Sequence, residues 1–146
     1  MKALVVFDTA YGNTEEIGKA IGKGIGKEAK VIRAKEVKPA NLEGIDLLVI
    51  GSPTQAGQEL PDTHKFLMNI AVPAVRGMKV AAYDTRIQSR LAKIFGYAAN
   101  RIAKTLEKAG AELVAEPEPF YVSGKAGPLK EGELKRASEW GKKLVG

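Results

Sequence analysis

A short turn rich in hydroxyl groups, residues 9–14, is the stretch of this chain best equipped to bind a ligand. It follows the apolar run Val5-Val6-Phe7 and precedes a segment with helical character. Thr9 and Thr14 offer hydroxyl donors, Asn13 offers an amide, and Gly12 can adopt a positive φ. Where a buried parallel strand ends and a helix begins, backbone N–H groups and the helix dipole converge on an anion. The turn is therefore predicted to bind phosphate.

Two familiar phosphate loops are excluded by what this turn lacks. A nucleotide-hydrolysing loop needs Gly-x-x-x-x-Gly-Lys-Ser/Thr, yet no lysine or arginine occurs between Lys2 and Lys19. The dinucleotide fingerprint Gly-x-Gly-x-x-Gly is also missing from the turn. A single terminal phosphate held by neutral donors fits these residues best.

Length and composition set the broad class. With 146 residues, 45% of them apolar, the chain is predicted to be one domain, 1–146, that buries its core without cross-links. It has no cysteine, which excludes disulfides, thiolate metal sites and a cysteine nucleophile. Because no run of 18 apolar residues and no signal peptide are visible, we expect a soluble, cytoplasmic protein with no membrane partner.

The charge is basic, with 23 Lys and Arg against 17 Asp and Glu, a net charge of +6 and a pI near 9.5. Such a surface favours acidic partners or anionic ligands. The lysines are scattered over several predicted helices without a recognition motif, so no nucleic-acid partner is predicted. A solvated lysine-rich surface is the simplest alternative.

Strand and helix patterns alternate along the chain. Apolar runs predict strands at residues 2–8, 30–34, 46–51 and 78–84, and a last strand over 111–122 that is broken at 116–119. Helices are predicted after Thr14, from about Asp62 to Ile70, through Tyr97 to Ala109, and from about Lys130 with Leu134, Ala137, Trp140 and Leu144 inward. Gly18, Gly22 and Gly26 recur at spacing four in the first helix, which predicts close packing on the sheet.

This alternation predicts an α/β fold with a five-stranded parallel sheet between two helix layers, in strand order 2-1-3-4-5. The carboxyl ends of strands 1, 3 and 4 then surround the point where the strand order reverses. Open α/β sheets bind ligands there. Three loops are predicted at this edge, over residues 9–14, 52–61 and 85–89.

The motifs in these loops resemble those of the flavodoxin family. Thr9-x-x-Gly12-Asn13-Thr14 resembles the FMN phosphate loop, Gly51-Ser52-Pro53-Thr54-x-x-Gly57 resembles the first flavin-ring loop, and Tyr83-Asp84-Thr85-Arg86 occupies the place of the second. The resemblance covers nearly the whole chain and is to the short-chain members. It implies a doubly wound flavodoxin-like fold and FMN as cofactor, with no catalytic residue and no metal. The residues that it assigns to FMN binding are Thr9, Ala10, Tyr11, Gly12, Asn13, Thr14, Pro53, Thr54, Gln55, Ala56, Gly57, Asp84, Thr85 and Arg86.

The ring loops differ from the family pattern in their chemistry. Flavodoxins usually hold the flavin ring between aromatic side chains, whereas the matching places here are Gln55-Ala56 and Arg86-Ile87. Fewer stacked aromatics predict looser FMN binding, and neutral or cationic neighbours predict a less negative second reduction step. The resemblance also assigns to Gly57 the peptide that meets flavin N5, with an ordinary glycine turn as the alternative. Arg86 is predicted to meet a flavin carbonyl or an acidic partner, or to be a solvated loop residue.

Three functions follow from these features. The leading prediction is a non-enzymatic, FMN-binding electron carrier that works with redox partner proteins bearing acidic docking surfaces, as a monomer or weak dimer. Tyr11-Gly12 and Pro53-Thr54 are similar to flavodoxin-like NAD(P)H:quinone reductases, so an FMN-dependent oxidoreductase is an open alternative. A flavin-free interaction domain is the third, because the fold alone does not guarantee the cofactor.

Overall fold

Helices cover both faces of a parallel β-sheet in this protein. The computed structural model describes residues 1–88 and 96–146. The strands are β1 Ala3–Phe7, β2 Ala29–Arg33, β3 Leu47–Pro53, β4 Lys79–Ile87, β5 Glu112–Leu113 and β6 Glu118–Val122. The α-helices in the described residues are α1 Asn13–Ile25, α2 Pro61–Phe66, α3 Ala98–Lys108 and α4 Glu133–Val145. A π-helical turn, Leu67–Ala71, continues α2 to about the predicted end of that helix.

The strand order confirms the predicted topology. The sheet runs β2-β1-β3-β4, and β5 and β6 follow one another along the outer edge of β4. β5 pairs with Lys79–Val80, and β6 pairs with Tyr83–Ile87. The two short strands are the halves of the predicted broken strand, and together they fill the fifth position of the order 2-1-3-4-5.

The core is divided by the sheet into two clusters. Alternate residues of the central strands face opposite sides, because side chains alternate along a strand. Val5, Val49 and Tyr83 pack with Ile17 and Ile21 of α1 and with Trp140 of α4. On the other face, Val6, Ile50 and Ala82 pack with Phe66 of α2 and Ile102 of α3. Continuous apolar runs are thus the sequence signature of strands buried on both faces.

The glycines of α1 allow this helix to lie close to the sheet, as the sequence predicts. A Cβ on Gly18 would lie 2.7 Å from the Tyr83 hydroxyl, and a Cβ on Gly22 would lie 2.7 Å from a methyl group of Val31. The prediction is wrong for Gly26, which follows the helix with φ 121° and ends it. There the glycine serves a backbone conformation that other residues rarely adopt.

Two strands are longer than predicted. β3 continues to Pro53, and β4 continues through Thr85, Arg86 and Ile87, which were expected in a loop. The extension of β4 comes from β6, whose residues Phe120, Tyr121 and Val122 pair with these three residues. Ser89, the last residue of that predicted loop, lies outside the described residues.

Two predicted helix positions are corrected. Tyr97 has extended backbone and precedes α3. α4 begins at Glu133 rather than near Lys130, whose N–H donates to the Tyr121 carbonyl and so remains tied to β6. Leu134, predicted to face inward, is 46% exposed, whereas Ala137, Trp140 and Leu144 are buried. Glu133 takes the inward position instead, where its carboxylate accepts a hydrogen bond from the Tyr121 N–H.

Candidate functional site

A cavity of about 290 Å³ opens at the carboxyl ends of β1, β3 and β4. The three predicted loops meet there, although Gly12, Gly57 and Asp84 do not line the cavity. Ile87, which the sequence placed in the second ring loop without assigning it to FMN, lines it as well, as do Val122 and Lys125, which sequence reasoning did not assign. The predicted residues that line it are Thr9, Ala10, Tyr11, Asn13, Thr14, Pro53, Thr54, Gln55, Ala56, Thr85 and Arg86.

The first wall of the cavity is the turn into α1. Gly12 is the N-cap of this 13-residue helix and has φ 94°, a left-handed conformation that glycine adopts without strain. Because Gly12 has no side chain, no side-chain group caps the helix within the described residues. The N–H groups of the first helical turn and the positive end of the helix dipole therefore remain available to an anion.

The start of this turn is stabilised by an ion pair between Asp8 and Arg33. Asp8, only 4% exposed, accepts a hydrogen bond from the Thr9 N–H at 2.8 Å and one from the Arg33 guanidinium at 3.2 Å. Arg33 also donates to the Thr9 carbonyl at 3.1 Å. Arg33 lies at the end of β2, which pairs with β1 in register, so the strand order could have pointed to it.

The end of the turn is fixed by two buried hydrogen bonds. The hydroxyls of Thr14 and Thr85 lie 2.7 Å apart, and this contact joins α1 to β4. The Tyr83 hydroxyl donates to the Thr14 carbonyl at 3.1 Å. Burial raises the pKa of Tyr83, so its hydroxyl keeps the proton that it donates.

A further wall comes from the turn after β6. Asn13 donates its amide to the Ala126 carbonyl at 3.2 Å, which ties the α1 turn to residues 124–127. Lys125 in this turn lines the cavity and is exposed. Because β6 runs parallel to β4, its carboxyl end lies at the same edge as the other loops, and this was the signal that could have identified Lys125.

The loop after β3 forms a tight two-residue turn. Gln55 and Gln58 exchange backbone hydrogen bonds of 2.9 Å in both directions, and Ala56 and Gly57 between them have φ values of 49° and 78°. Positive φ at both central residues is the pattern of a type I′ turn. Thr54 anchors the loop, since its hydroxyl accepts a hydrogen bond from the Ala98 N–H at 2.9 Å.

The loop side of β4 is organised by Asp84, which is completely buried. Its carboxylate accepts hydrogen bonds from Arg86 at 2.7 and 2.6 Å, from Thr54 at 3.2 Å and from the Ala99 N–H at 3.0 Å. The Arg86 side chain is only 11% exposed, so the prediction of a solvated loop arginine is wrong. Asp84 thus connects Thr54 and Arg86 to the start of α3 without itself reaching the cavity.

A second buried carboxylate, Glu59, follows the β3 loop. It accepts hydrogen bonds from Arg101 at 3.1 Å and interacts with His64 at 3.4 Å. Burial alone would raise the pKa of Glu59, but its own backbone N–H, Arg101 and His64 outweigh burial and hold the pKa below its ordinary value. Glu59 therefore fastens the end of the loop to α2 and α3.

Residues 1–88 and 96–146 contain neither a metal-binding cluster of side chains nor a helix suited to span a membrane. There, the acidic residues and the histidine form no group of three that could hold a metal ion. No helix in this part of the chain is both long and apolar enough to cross a membrane.

Comparison with known proteins identifies the family. The sequence profile described as Flavodoxin matches residues 5–140. Flavodoxin 1 of Salmonella typhimurium is 33% identical over 113 residues, and the match covers 75% of this chain and 64% of that protein. The chain belongs to the flavodoxin family. Its match therefore spans less than two thirds of the length of this curated relative.

Solved structures agree with the fold. A flavodoxin from the domain Archaea has a TM-score of 0.84 and 25% identity, over 99% of this chain and 96% of that one. Oxidised flavodoxin 1 from Bacillus cereus has a TM-score of 0.82 and 21% identity, over 99% and 97% of the two chains. The second similarity establishes the flavodoxin-like fold alone.

Proposed function

We propose that this protein binds FMN in the cavity between the three loops and carries electrons between partner proteins. The observation that carries the proposal is the composition of the cavity wall in a member of the flavodoxin family. One end offers the uncapped N-terminus of α1 with the Thr9 and Thr14 hydroxyls, and the other end is formed by the ring loops. FMN has a phosphate at one end and a flat ring at the other, which this arrangement matches.

The donor set fits a terminal phosphate. The first-turn N–H groups of α1 and the hydroxyl of Thr9 are suited to phosphate oxygens, and Lys125 supplies a positive charge at the same cavity. Asn13 contributes by holding the Lys125 turn against α1. Asp8 and Arg33 keep the backbone at Thr9 in place. These contacts would hold the phosphate-binding groups in place before FMN enters and so reduce the entropy cost of binding.

The ring loops would hold the flat part of FMN beside β3 and β4. When bound, FMN supplies the redox chemistry, since flavins accept and release electrons in single steps. Thr54, Ala56 and Arg86 form the walls on this side, and the exposed Tyr11 and Ile87 border the opening. The Ala56-Gly57 turn would let the backbone approach the ring closely. A direct role of Gly57 toward flavin N5 remains a prediction of the sequence.

The partner would carry an acidic docking surface. The net charge of +6 and the exposed Lys125 beside the cavity favour approach of negative groups. Ferricyanide, a small anionic oxidant, can serve as the probe with the FMN-loaded, reduced protein. The rate of oxidation should fall as ionic strength rises, and a rate that is constant or rises with salt would exclude this partner class. The location in the cytoplasm stays a prediction.

One experiment separates the candidate functions. The purified protein is mixed with FMN, freed of excess and examined by visible absorption, and then supplied with NADPH and a quinone. A carrier retains one FMN per chain and shows no sustained NADPH oxidation. Sustained turnover would instead establish the quinone-reductase alternative, and failure to retain FMN at micromolar concentration would leave the flavin-free alternative.

A further inference from the structure

The guanidinium of Arg86 is fixed by an ion pair with Asp84 and by a stacking contact with Tyr97. Both of its guanidinium contacts with Asp84 are short, 2.7 and 2.6 Å, and they use two nitrogens and two oxygens. The guanidinium carbon also lies 3.3 Å from the centre of the Tyr97 ring, as in a stacked pair. A two-point ion pair and a stacking contact together fix both the position and the plane of the guanidinium.

The two members of the ion pair differ in their position relative to the cavity. Arg86 lines the cavity, whereas Asp84 is completely buried and does not reach it. Thr54 and the Ala99 N–H also donate to the Asp84 carboxylate, to the same oxygen that Arg86 Nη2 contacts. Arg86 is therefore the member of the pair that lies at the cavity, and the Asp84 carboxylate is enclosed by donors. In a partly buried site such a fixed charge acts through a lower effective dielectric constant than in water.

We propose that Arg86, stacked on Tyr97 and held by Asp84, is a contact surface for the flavin ring and raises the potential of its full reduction. The inference rests on the proposed FMN function and assigns to Arg86 the place that the sequence left open. A guanidinium is flat and can cover a ring face much as an aromatic side chain does.

The electron balance gives the sign of the effect. Full reduction adds two electrons and one proton to oxidised FMN, so the ring gains one negative charge. Arg86 stabilises that charge more than it stabilises the neutral oxidised ring. Asp84 weakens but does not cancel this stabilisation, because Arg86 lines the cavity and Asp84 does not. The ratio of the affinity for reduced FMN to the affinity for oxidised FMN should therefore be higher in this protein than in a site that carries a neutral pair.

The main test replaces the pair by neutral amides, Asp84→Asn with Arg86→Gln. The net charge of the chain is unchanged, and the two amides can still hydrogen-bond, so no buried charge is left unpaired. We expect the ratio of affinities for reduced and oxidised FMN to fall about tenfold, which equals a shift of about −30 mV in the two-electron midpoint. Dithionite titration with a reference dye measures it, and Lys104→Gln with Glu107→Gln, two exposed substitutions on α3 that also leave the net charge unchanged, is the control.

Two single variants distinguish this role from a structural one. Asp84→Asn leaves the guanidinium uncompensated and should move the midpoint in the positive direction, whereas a merely structural loss would not give opposite signs. Arg86→Lys keeps the charge but loses the flat, stacked surface, so affinity for oxidised FMN should fall about threefold or more while the midpoint stays near wild type. An unchanged affinity in Arg86→Lys, or an unchanged or positive midpoint shift in the double variant, would overturn the inference. Failure of the wild-type protein to bind FMN would instead reject the proposed function.

Discussion

The hydroxyl oxygens of Thr14 and Thr85 lie 2.7 Å apart in the protein interior, at 1% and 4% residue exposure. One belongs to the turn that begins α1 and the other to the loop end of β4. The contact thus joins the α1 side of the cavity to the β4 side. This single hydrogen bond, between residues 71 positions apart in the sequence, fixes two walls of the cavity relative to each other.

Substitution of one partner should be costly, and substitution of both should be much less so. Thr14→Val leaves the Thr85 hydroxyl buried without its partner and is expected to lower the unfolding free energy by about 1–3 kcal/mol. The Thr14→Val, Thr85→Val double variant removes both groups and should recover most of that loss. Urea denaturation of the wild type, the two single variants Thr14→Val and Thr85→Val, and the double variant measures the coupling. Strictly additive losses would show that the two hydroxyls do not interact.

The close approach of Gly51 to Tyr83 predicts an overpacking defect. A Cβ at position 51 would lie 2.0 Å from the Tyr83 ring, and this ring is fixed by edge-to-face contacts with Phe120 and Trp140 at 6.0 and 6.4 Å. Gly51→Ala should therefore destabilise the protein by about 1–3 kcal/mol or more. Gly124→Ala is the matched control, since its Cβ would meet its nearest neighbour at an ordinary 3.6 Å. Equal melting temperatures for the two variants would contradict the packing.

The positive φ of Ala56 predicts that the β3 loop can be stabilised. Asparagine tolerates this conformation better than alanine and would create the Asn-Gly pair preferred in type I′ turns. Ala56→Asn should raise the unfolding free energy by about 0.5–1 kcal/mol, whereas β-branched Ala56→Thr should lower it by a similar amount. Chemical denaturation gives both values. The same sign for both substitutions would argue against the turn.

Glu59 should make stability depend on pH on the acid side. Because its pKa is lower in the folded protein than its ordinary value of 4.5, its contribution is present above that pH and is lost as the pH falls through the folded pKa. Glu59→Gln should cost about 1–3 kcal/mol at pH 7 and progressively less as the pH is lowered toward 3. Denaturation from pH 3 to 7 tests this, with exposed Glu107→Gln as the control. A difference that is constant with pH would refute it.

The arrangement of the sheet could be predicted because it depends on local patterns. Buried parallel strands carry continuous apolar runs, and short links between alternating elements restrict the order of the strands. The predicted loop at Thr85–Ile87 failed because its pairing partner, Phe120–Val122, lies more than thirty residues away in the sequence. The predicted burial of Leu134 was wrong for a related reason. The start of α4 depends on the hydrogen bond between Lys130 and Tyr121, and the helical periodicity of the sequence carries no information about that contact.

In the site, too, the features that depend on neighbouring residues could be predicted, whereas those that depend on distant contacts could not. The turn at residues 9–14 was predicted because strand, donors and helix are adjacent in the chain. Arg33, Tyr97 and Lys125 reach the site or its support from other strands and helices, and their contacts exist only once the sheet has assembled. Asp84 could be placed near the ring loop by resemblance, yet its burial and its hydrogen bonds with Arg86, Thr54 and the Ala99 N–H could not be derived from its position in the sequence.

The central claim is that the cavity binds FMN through its phosphate at the N-terminus of α1. Parallel fluorescence titrations of the ligand-free protein with FMN and with riboflavin, which lacks the phosphate, test it most directly. We expect FMN fluorescence to be quenched on binding and FMN to bind at least tenfold more tightly than riboflavin, since the helix terminus, hydroxyls and Lys125 act only on the phosphate. Equal affinities, or no binding of either flavin, would contradict the account.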